Sequence, residues 1–421
     1  MKVINLNQSS SIQQEHRQVT QIKNFGTTSS INISSDARKP LRFDSARQAD
    51  NRHCQVIKTI NIAIFGTGKV GGTLIDQILA SGINIEKSKS IRLNIFAVGN
   101  SQKLHLDKSG ISENWKFYLN KYGKHYDIWD IITYAQVHQL DNLIAVDNTA
   151  SEEFTENYHT LVRNGFDLVS SNKIGNSGSY EFYRSLRQIL RKNEREFLYE
   201  ANVGAGLPLI DTIRMLHISG DKIHRIRGVF SGSLSYIFNT FSSRDIPFHQ
   251  VLHEAASKGL TEPDPREDLS GNDVCRKLLI LARELGLSQE FESIDNHNLI
   301  PEELGKLDLD SFQKNSHELD RHFEYLKQNV KPGHVLRHIG ELSINRQSCE
   351  VLLKAGLSEI PEYSALGQLT GSDSLFEIYT EGYGLNPIII LGAGAGPAVT
   401  ARGVFSDILR LAGRVMKNKV L

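Results

Sequence analysis

The chain of 421 residues has only three cysteines, Cys54, Cys275 and Cys349. Their spacing matches no metal or redox motif, and an odd number cannot all pair within one chain. A disulfide scaffold is thereby excluded, and a reduced, cytoplasmic protein is expected. An excess of one charge is also missing, because 48 Lys and Arg face 48 Asp and Glu. Without a basic excess there is no electrostatic footprint for nucleic acid or an anionic membrane. No stretch approaches the roughly 20 apolar residues of a spanning helix, and the N-terminus lacks the apolar core of a secretory signal. Residues 1–57 have few periodic apolar positions and are rich in Ser, Gln, Asn and Arg. They are expected to form a disordered or poorly ordered extension.

From residue 58 onward, strand and helix patterns alternate. Apolar runs suited to buried parallel strands fall at Ile60–Phe65, Leu93–Val98, Leu143–Val146, Phe166–Val169 and Phe197–Tyr199. The first leads directly into Gly66-Thr67-Gly68-Lys69-Val70-Gly71 and then a helical pattern. A G-x-G-x-x-G between strand and helix is the context of the dinucleotide fingerprint. Gly66 would make the tight turn, Gly68 would admit the pyrophosphate, and Gly71 would let helix and strand pack closely. The ligand crevice of such a sheet lies beyond the carboxyl ends of its strands. The residues there include Asn100, Ser101, Thr149, Ala150, Ser171 and Lys173, which are expected to line the cofactor. No Asp or Glu follows the second strand, where an NAD enzyme usually holds the ribose hydroxyl. Gln102 and Lys103 stand there instead. NADP is favoured, with NAD as the alternative.

The expected fold is α/β, a Rossmann-type doubly wound parallel sheet over residues 58–201. A second α+β domain for substrate and dimerisation spans 202–385. The segment 386–421 reads as strand, glycine turn and helix, a C-terminal return that would close the first sheet. Residues 287–332 follow no clear pattern.

The run Thr261 to Lys277, T-E-P-D-P-R-E-D-L-S-G-N-D-V-C-R-K, concentrates charge beside apolar residues. Its second half predicts a helix capped by Ser270 or Asn272. Asp273 and Lys277 are then i,i+4 neighbours. Leu278-Leu279-Ile280-Leu281 follows, so the helix is buried and the charged pair needs a task or a partner. The competing reading is a plain helix ion pair, worth about 0.2–0.5 kcal/mol. Asp264 and Glu267 read as turn and surface charges.

Seven segments, in order over 58–421, resemble homoserine dehydrogenase, in particular the dehydrogenase half of bifunctional aspartokinase–homoserine dehydrogenases. They are F-G-T-G-K-V-G-G (65–72), V-D-N-T-A-S (146–151), S-N-K (171–173), E-A-N-V-G-A-G-L-P (200–208), S-G-S-L-S-Y-I (231–237), the run 261–277, and G-A-G-A-G-P-A-V-T-A-R-G-V-F (392–405). The resemblance implies reversible, NAD(P)H-dependent reduction of L-aspartate 4-semialdehyde to L-homoserine. It implies Lys277 as proton donor, with Asp273 and Lys173 as further catalytic groups. Glu262, Asp268, Asp273, Gly232 and Ser233 would bind substrate. Gly396 would join the cofactor residues. Glu200, with the carbonyls of Val203, Ala205 and Leu207, would hold a monovalent cation, commonly sodium. A homodimer or higher homo-oligomer is implied, built through an exposed sheet of the second domain. Leu260 stands where the family commonly has Tyr. No kinase domain is expected before residue 58 and no regulatory domain after the last helix, so neither a kinase partner nor end-product inhibition is implied. Aspartate-semialdehyde dehydrogenase is disfavoured, because it needs a nucleophilic Cys in a loop and Cys275 falls in a helix. The alternative function is a non-catalytic, NADP-binding regulatory partner of a separate aspartokinase.

Overall fold

In a computed structural model, residues 57–345, 348 and 350–417 are described. The expected N-terminal extension, apart from Ile57, lies outside the described residues, as do Cys54 and Cys349. β1 (Lys58–Phe65) places Ile60, Ile62 and Ile64 on one side and Ala63 and Phe65 on the other, all buried. A strand apolar on both faces belongs inside a parallel sheet covered on both sides. β1 pairs in parallel with β2 (Ile91–Gly99) and β4 (Leu143–Asp147). β3 (Leu104–Leu106) forms the antiparallel edge, and β5 (Phe166–Ser170) and β6 (Phe197–Leu198) extend the other side. The order β3-β2-β1-β4-β5-β6 reverses between β1 and β4, where the ligand crevice of a doubly wound sheet opens. α1 (Lys69–Lys89) follows β1 and buries Leu74, Ile75 and Ile78. α2 (Tyr180–Lys192) precedes β6 and buries Leu186 and Leu190.

The second domain has its own six-stranded sheet. α3 (Leu209–Ile218) leads into β7 (Ile223–Val229), followed by α4 (Gly232–Ser243), α5 (Pro265–Leu269) and α6 (Asn272–Glu284). β8 (Asp295–Asn296), β9 (His334–Asn345), β10 (Glu350–Pro361), β11 (Ser374–Thr380) and β12 (Ile388–Gly392) complete it in the order β12-β11-β7-β9-β10-β8. Its pairings are antiparallel except β8 with β10. Leu278, Phe238, Leu342 and Phe376 belong to one core that continues to Phe65 and Phe166 of the first sheet. Residues 287–332, unplaced by pattern, form β8 and short helices whose Leu304, Phe312, Leu319 and Phe323 also enter that core.

Two expectations need correction. β12 does not close the first sheet; it pairs antiparallel with β11, with Phe376 opposite Ile390. Only α7 (Pro397–Lys417) returns, packing Ala401, Val404, Phe405 and Ile408 into the core beneath α1. The cap of α6 is neither Ser270 nor Asn272 but Gly271, at φ +73°. That left-handed geometry suits glycine.

Candidate active site

α6 is apolar on most sides and buries Val274, Leu278 and Leu281 together with Lys277. Lys277 is 8% exposed, and its Nζ lies 2.7 Å from Asp273 Oδ2 and donates to the Phe230 carbonyl at 2.7 Å. Two of its three N–H groups are thereby used. Lys173, just past β5, brings its Nζ to 3.3 Å from the other Asp273 oxygen. The three groups named from sequence therefore meet. Desolvation works to raise the Asp273 pKa, but Lys277 and then Lys173 outweigh it and hold the carboxyl well below the usual range. Of the Asp273 side chain, 46% is open, and it faces a cavity of about 230 Å³.

That cavity is also lined by Ser231, Glu262, Glu267 and Asp268. Asp264 instead caps α5 and pairs with Arg266 at 2.6 Å, the structural part expected of it. Asp268 accepts from Ser233 Oγ at 2.6 Å and from the Glu262 backbone N–H at 2.8 Å. Burial raises the Asp268 pKa against these bonds. Gly232 and Ser233 form the first turn of α4, which Ser231 caps by accepting from Leu234 N–H. A Cβ on Gly232 would stand 3.1 Å from the Ser372 carbonyl. Two lysines held on Asp273, which itself opens onto a carboxylate-lined cavity, can polarise a carbonyl brought beside them, while the carboxylates hold a ligand cation.

The glycine turn sits at the end of β1. Gly66 adopts φ +83°, and a Cβ there would meet the Asn148 carbonyl at 2.6 Å. A Cβ on Gly71 would lie 1.8 Å from the Gly66 carbonyl, whereas one on Gly68 would meet nothing within 4 Å. Thr67 and Gly68 precede the first turn of α1, which contains Lys69, Val70 and Gly71. A free backbone face at a helix N-terminus fits a pyrophosphate. Asn148 beside it has a buried Nδ2 with no partner among the described residues. Ser171 Oγ donates to Asn148 Oδ1 at 2.9 Å, and Thr149 N–H donates to Asp147 at 2.7 Å. Ala150 is exposed next to them. After β2, Asn100 Oδ1 accepts from the N–H groups of Gln102 and Lys103, and Ser101 is exposed. Lys103 Nζ donates to the Asn120 carbonyl at 2.7 Å. Gly396, at φ +120°, immediately precedes α7.

Glu200 is buried, and its carboxylate accepts from Ile210 N–H at 2.7 Å and Asp211 N–H at 2.9 Å. Burial, with Asp211 and Asp407 nearby, pushes its pKa up to about 8. Burial likewise raises Asp407 to about 6. Val203, Ala205 (φ +56°) and Leu207 follow in the same tight segment.

Sequence reasoning missed the polar cluster behind the crevice. Buried Asp147 accepts from Tyr158 Oη at 2.6 Å and Asn172 Nδ2 at 3.0 Å. It ties the ends of β4 and β5 together and so positions Lys173. Burial raises the Asp147 pKa. The available signal was an acid at the end of an apolar strand, in D-N-T-A-S.

Two family models match the chain: "Homoserine dehydrogenase, NAD binding domain" over residues 66–200 and "Homoserine dehydrogenase" over 208–409. A bifunctional aspartokinase/homoserine dehydrogenase 1 of Arabidopsis thaliana is 36% identical over 91% of this chain and 42% of its own length. A bifunctional relative from Haemophilus influenzae is 36% identical over 84% of this chain and 43% of its own length. The chain thus spans about two-fifths of the length of these curated relatives. A Candida auris protein of unknown function matches with TM-score 0.77 and 30% identity, over 85% of this chain and 99% of its own. A hyperthermophilic archaeal homoserine dehydrogenase in complex with NADPH shares the fold, with TM-score 0.64 and 21% identity over 85% of this chain and 98% of its own.

Proposed function

The chain belongs to the homoserine dehydrogenase family, and from that premise we propose that it interconverts L-aspartate 4-semialdehyde and L-homoserine with a nicotinamide cofactor. The observation that carries this reading is the buried Lys277 amine, 2.7 Å from a carboxylate that also takes Lys173. A reduced nicotinamide cofactor held on the glycine turn from Gly66 to Gly71 would supply hydride to the aldehyde carbon. Negative charge then grows on the aldehyde oxygen, where Lys277 gives up a proton through its remaining N–H. Lys173 adds a second positive charge, and Asp273 fixes both amines in place. In the oxidative direction Lys277 takes the hydroxyl proton, a role closed to arginine. Asp268 and Glu262 hold the α-ammonium of the substrate. The backbone N–H groups of Gly232 and Ser233, at the start of α4, receive its α-carboxylate.

Purified protein mixed with homoserine and NADP should show a rise in reduced-nicotinamide absorbance. A flat trace with intact cofactor binding would instead favour the non-catalytic partner of a kinase. NADP is the preferred cofactor, because the segment after β2 offers Gln102 and Lys103 and no acid. For this, Lys103 exchanges the Asn120 carbonyl for a phosphate. The buried, unpaired thiol of Cys275 suits the reducing cytoplasm.

A monovalent cation fits beside Glu200, because the carboxyl groups of Glu200, Asp211 and Asp407 lie close together and, among the described residues, only Arg410 meets any of them by ion pairs. The expected carbonyls are those of Val203, Ala205 and Leu207. This site makes a pH prediction. With a folded pKa of about 8 against an ordinary 4.5, Glu200 keeps a proton in the native state that the unfolded chain has lost. Stability without a cation therefore falls as pH rises through that window. Sodium should restore the melting temperature near pH 8 in the native chain, and Glu200→Gln should abolish that rescue. Equal melting curves in sodium and in a bulky organic cation would refute the cation.

Dimerisation is proposed through the outer face of the second sheet. Leu352, Ile389 and Leu391 are each about half exposed there. They share that face with the ion pairs Arg225–Glu341 and Arg227–Glu377. An open apolar patch around satisfied charges is the composition of an interface. Leu352→Glu with Ile389→Glu should halve the mass seen by light scattering; an unchanged mass would move the interface elsewhere.

A further inference from the structure

We propose that the protein carries a second ligand site, for a di- or triphosphate group, in an arginine-lined cavity away from the reacting lysines. The cavity is about 550 Å³ and lies among α2, α3 and the end of α6. Its lining includes Arg184, Arg187, Arg191, Arg214 and Arg283; Glu284 is the one carboxylate that lines it, and Glu290 pairs with Arg283 at 3.0 Å from outside the lining. The chain as a whole is neutral, so this concentration is not a matter of composition.

The arginines are arranged by the helix. Arg184, Arg187 and Arg191 stand three and four residues apart on α2, which puts them on one face. Like charges at that spacing repel, and here no acid of the same face separates them. The dipole at the end of α2 accounts for Arg191 alone. Glu284 cannot neutralise the row, because its oxygens are committed to Arg214 at 2.6 Å and to Tyr199 Oη. Arg187 donates to Asn176 and Tyr199 and stacks on the Tyr183 ring at 4.3 Å, yet its buried Nη1 has no hydrogen-bond partner among the described residues. Arg184 and Arg191 are exposed and have no ion pair or side-chain hydrogen bond among the described residues. Guanidinium groups in fixed geometry match phosphate oxygens bidentately, and a polyphosphate brings several charges at once. The cavity is within the size range of small-molecule sites.

The test is calorimetric titration of the full chain with inorganic tripolyphosphate and, separately, with ATP. Both are run at fixed ionic strength with NADP saturating, so that the glycine-turn site cannot contribute. Saturable binding of one equivalent is expected, weakened about tenfold or more in Arg184→Gln/Arg191→Gln. Tighter binding of ATP would identify a nucleotide as the source, and equal binding would identify the inorganic ion. Both substituted side chains are on the surface, so the variant should melt as the native chain does. Absence of saturable heat, or unchanged affinity in the double variant, overturns the proposal. The readout needs no turnover and therefore stands apart from the dehydrogenase reading.

Discussion

Lys277→Ala is expected to lower turnover of homoserine by about 10²–10⁴-fold, the usual contribution of a positioned proton donor. NADP affinity should stay within about twofold, since the amine touches Asp273 and Phe230 rather than the glycine turn. Loss of the amine also leaves the buried Phe230 carbonyl without its donor, a cost of about 1–3 kcal/mol. Melting curves must therefore accompany the kinetics. Lys277→Arg separates the two effects. It keeps the charge beside Asp273 but cannot release a proton, so it should recover stability and not rate. If NADP binding and turnover fall together in the alanine variant, α6 is a structural element only.

The next largest effects concern two glycines of one turn and should be opposite in kind. Gly71→Ala places a methyl 1.8 Å from the Gly66 carbonyl, a contact only backbone movement can relieve. We expect a loss of about 3 kcal/mol or more, at the upper end for overpacking, together with cofactor binding. A Cβ at Gly68 meets no protein atom within 4 Å, so the melting temperature of Gly68→Val should be nearly native. Its NADP affinity should drop on the order of 100-fold, about 2.7 kcal/mol, because the added carbons occupy the pyrophosphate position. Thermal melts and cofactor titrations of both variants decide the matter. Native affinity in the Gly68 variant would remove the pyrophosphate from this turn. A native melt for Gly71→Ala would mean that the turn is not packed as described.

The parts legible in the sequence are those governed by neighbours along the chain. β1 and its glycine turn combine a local apolar run with a local break. The Asp273–Lys277 pair follows from helical spacing alone. What failed depended on distant partners or on backbone angles. β12 has the same strand–turn–helix appearance as β1, and only its pairing with β11 assigns it to the second sheet. The cap at Gly271 is a matter of φ, and two good hydroxyl and amide capping residues flanked it. The Asp147–Tyr158–Asn172 cluster joins the end of β4, a helix and the loop after β5, which no periodicity records. That Lys173 would reach Asp273 was expected from resemblance rather than from spacing, since 100 residues separate them.

The return of α7 has a consequence for biosynthesis. Ile60, Leu74, Ile75 and Ile78 wait for Ala401, Val404, Phe405 and Ile408 to cover them. During translation the nucleotide-binding lobe leaves the ribosome long before its covering helix has been made. Its apolar underside must stay protected, by chaperones or by transient collapse, until residues 397–417 have emerged. A fragment ending before residue 397 is therefore expected to aggregate.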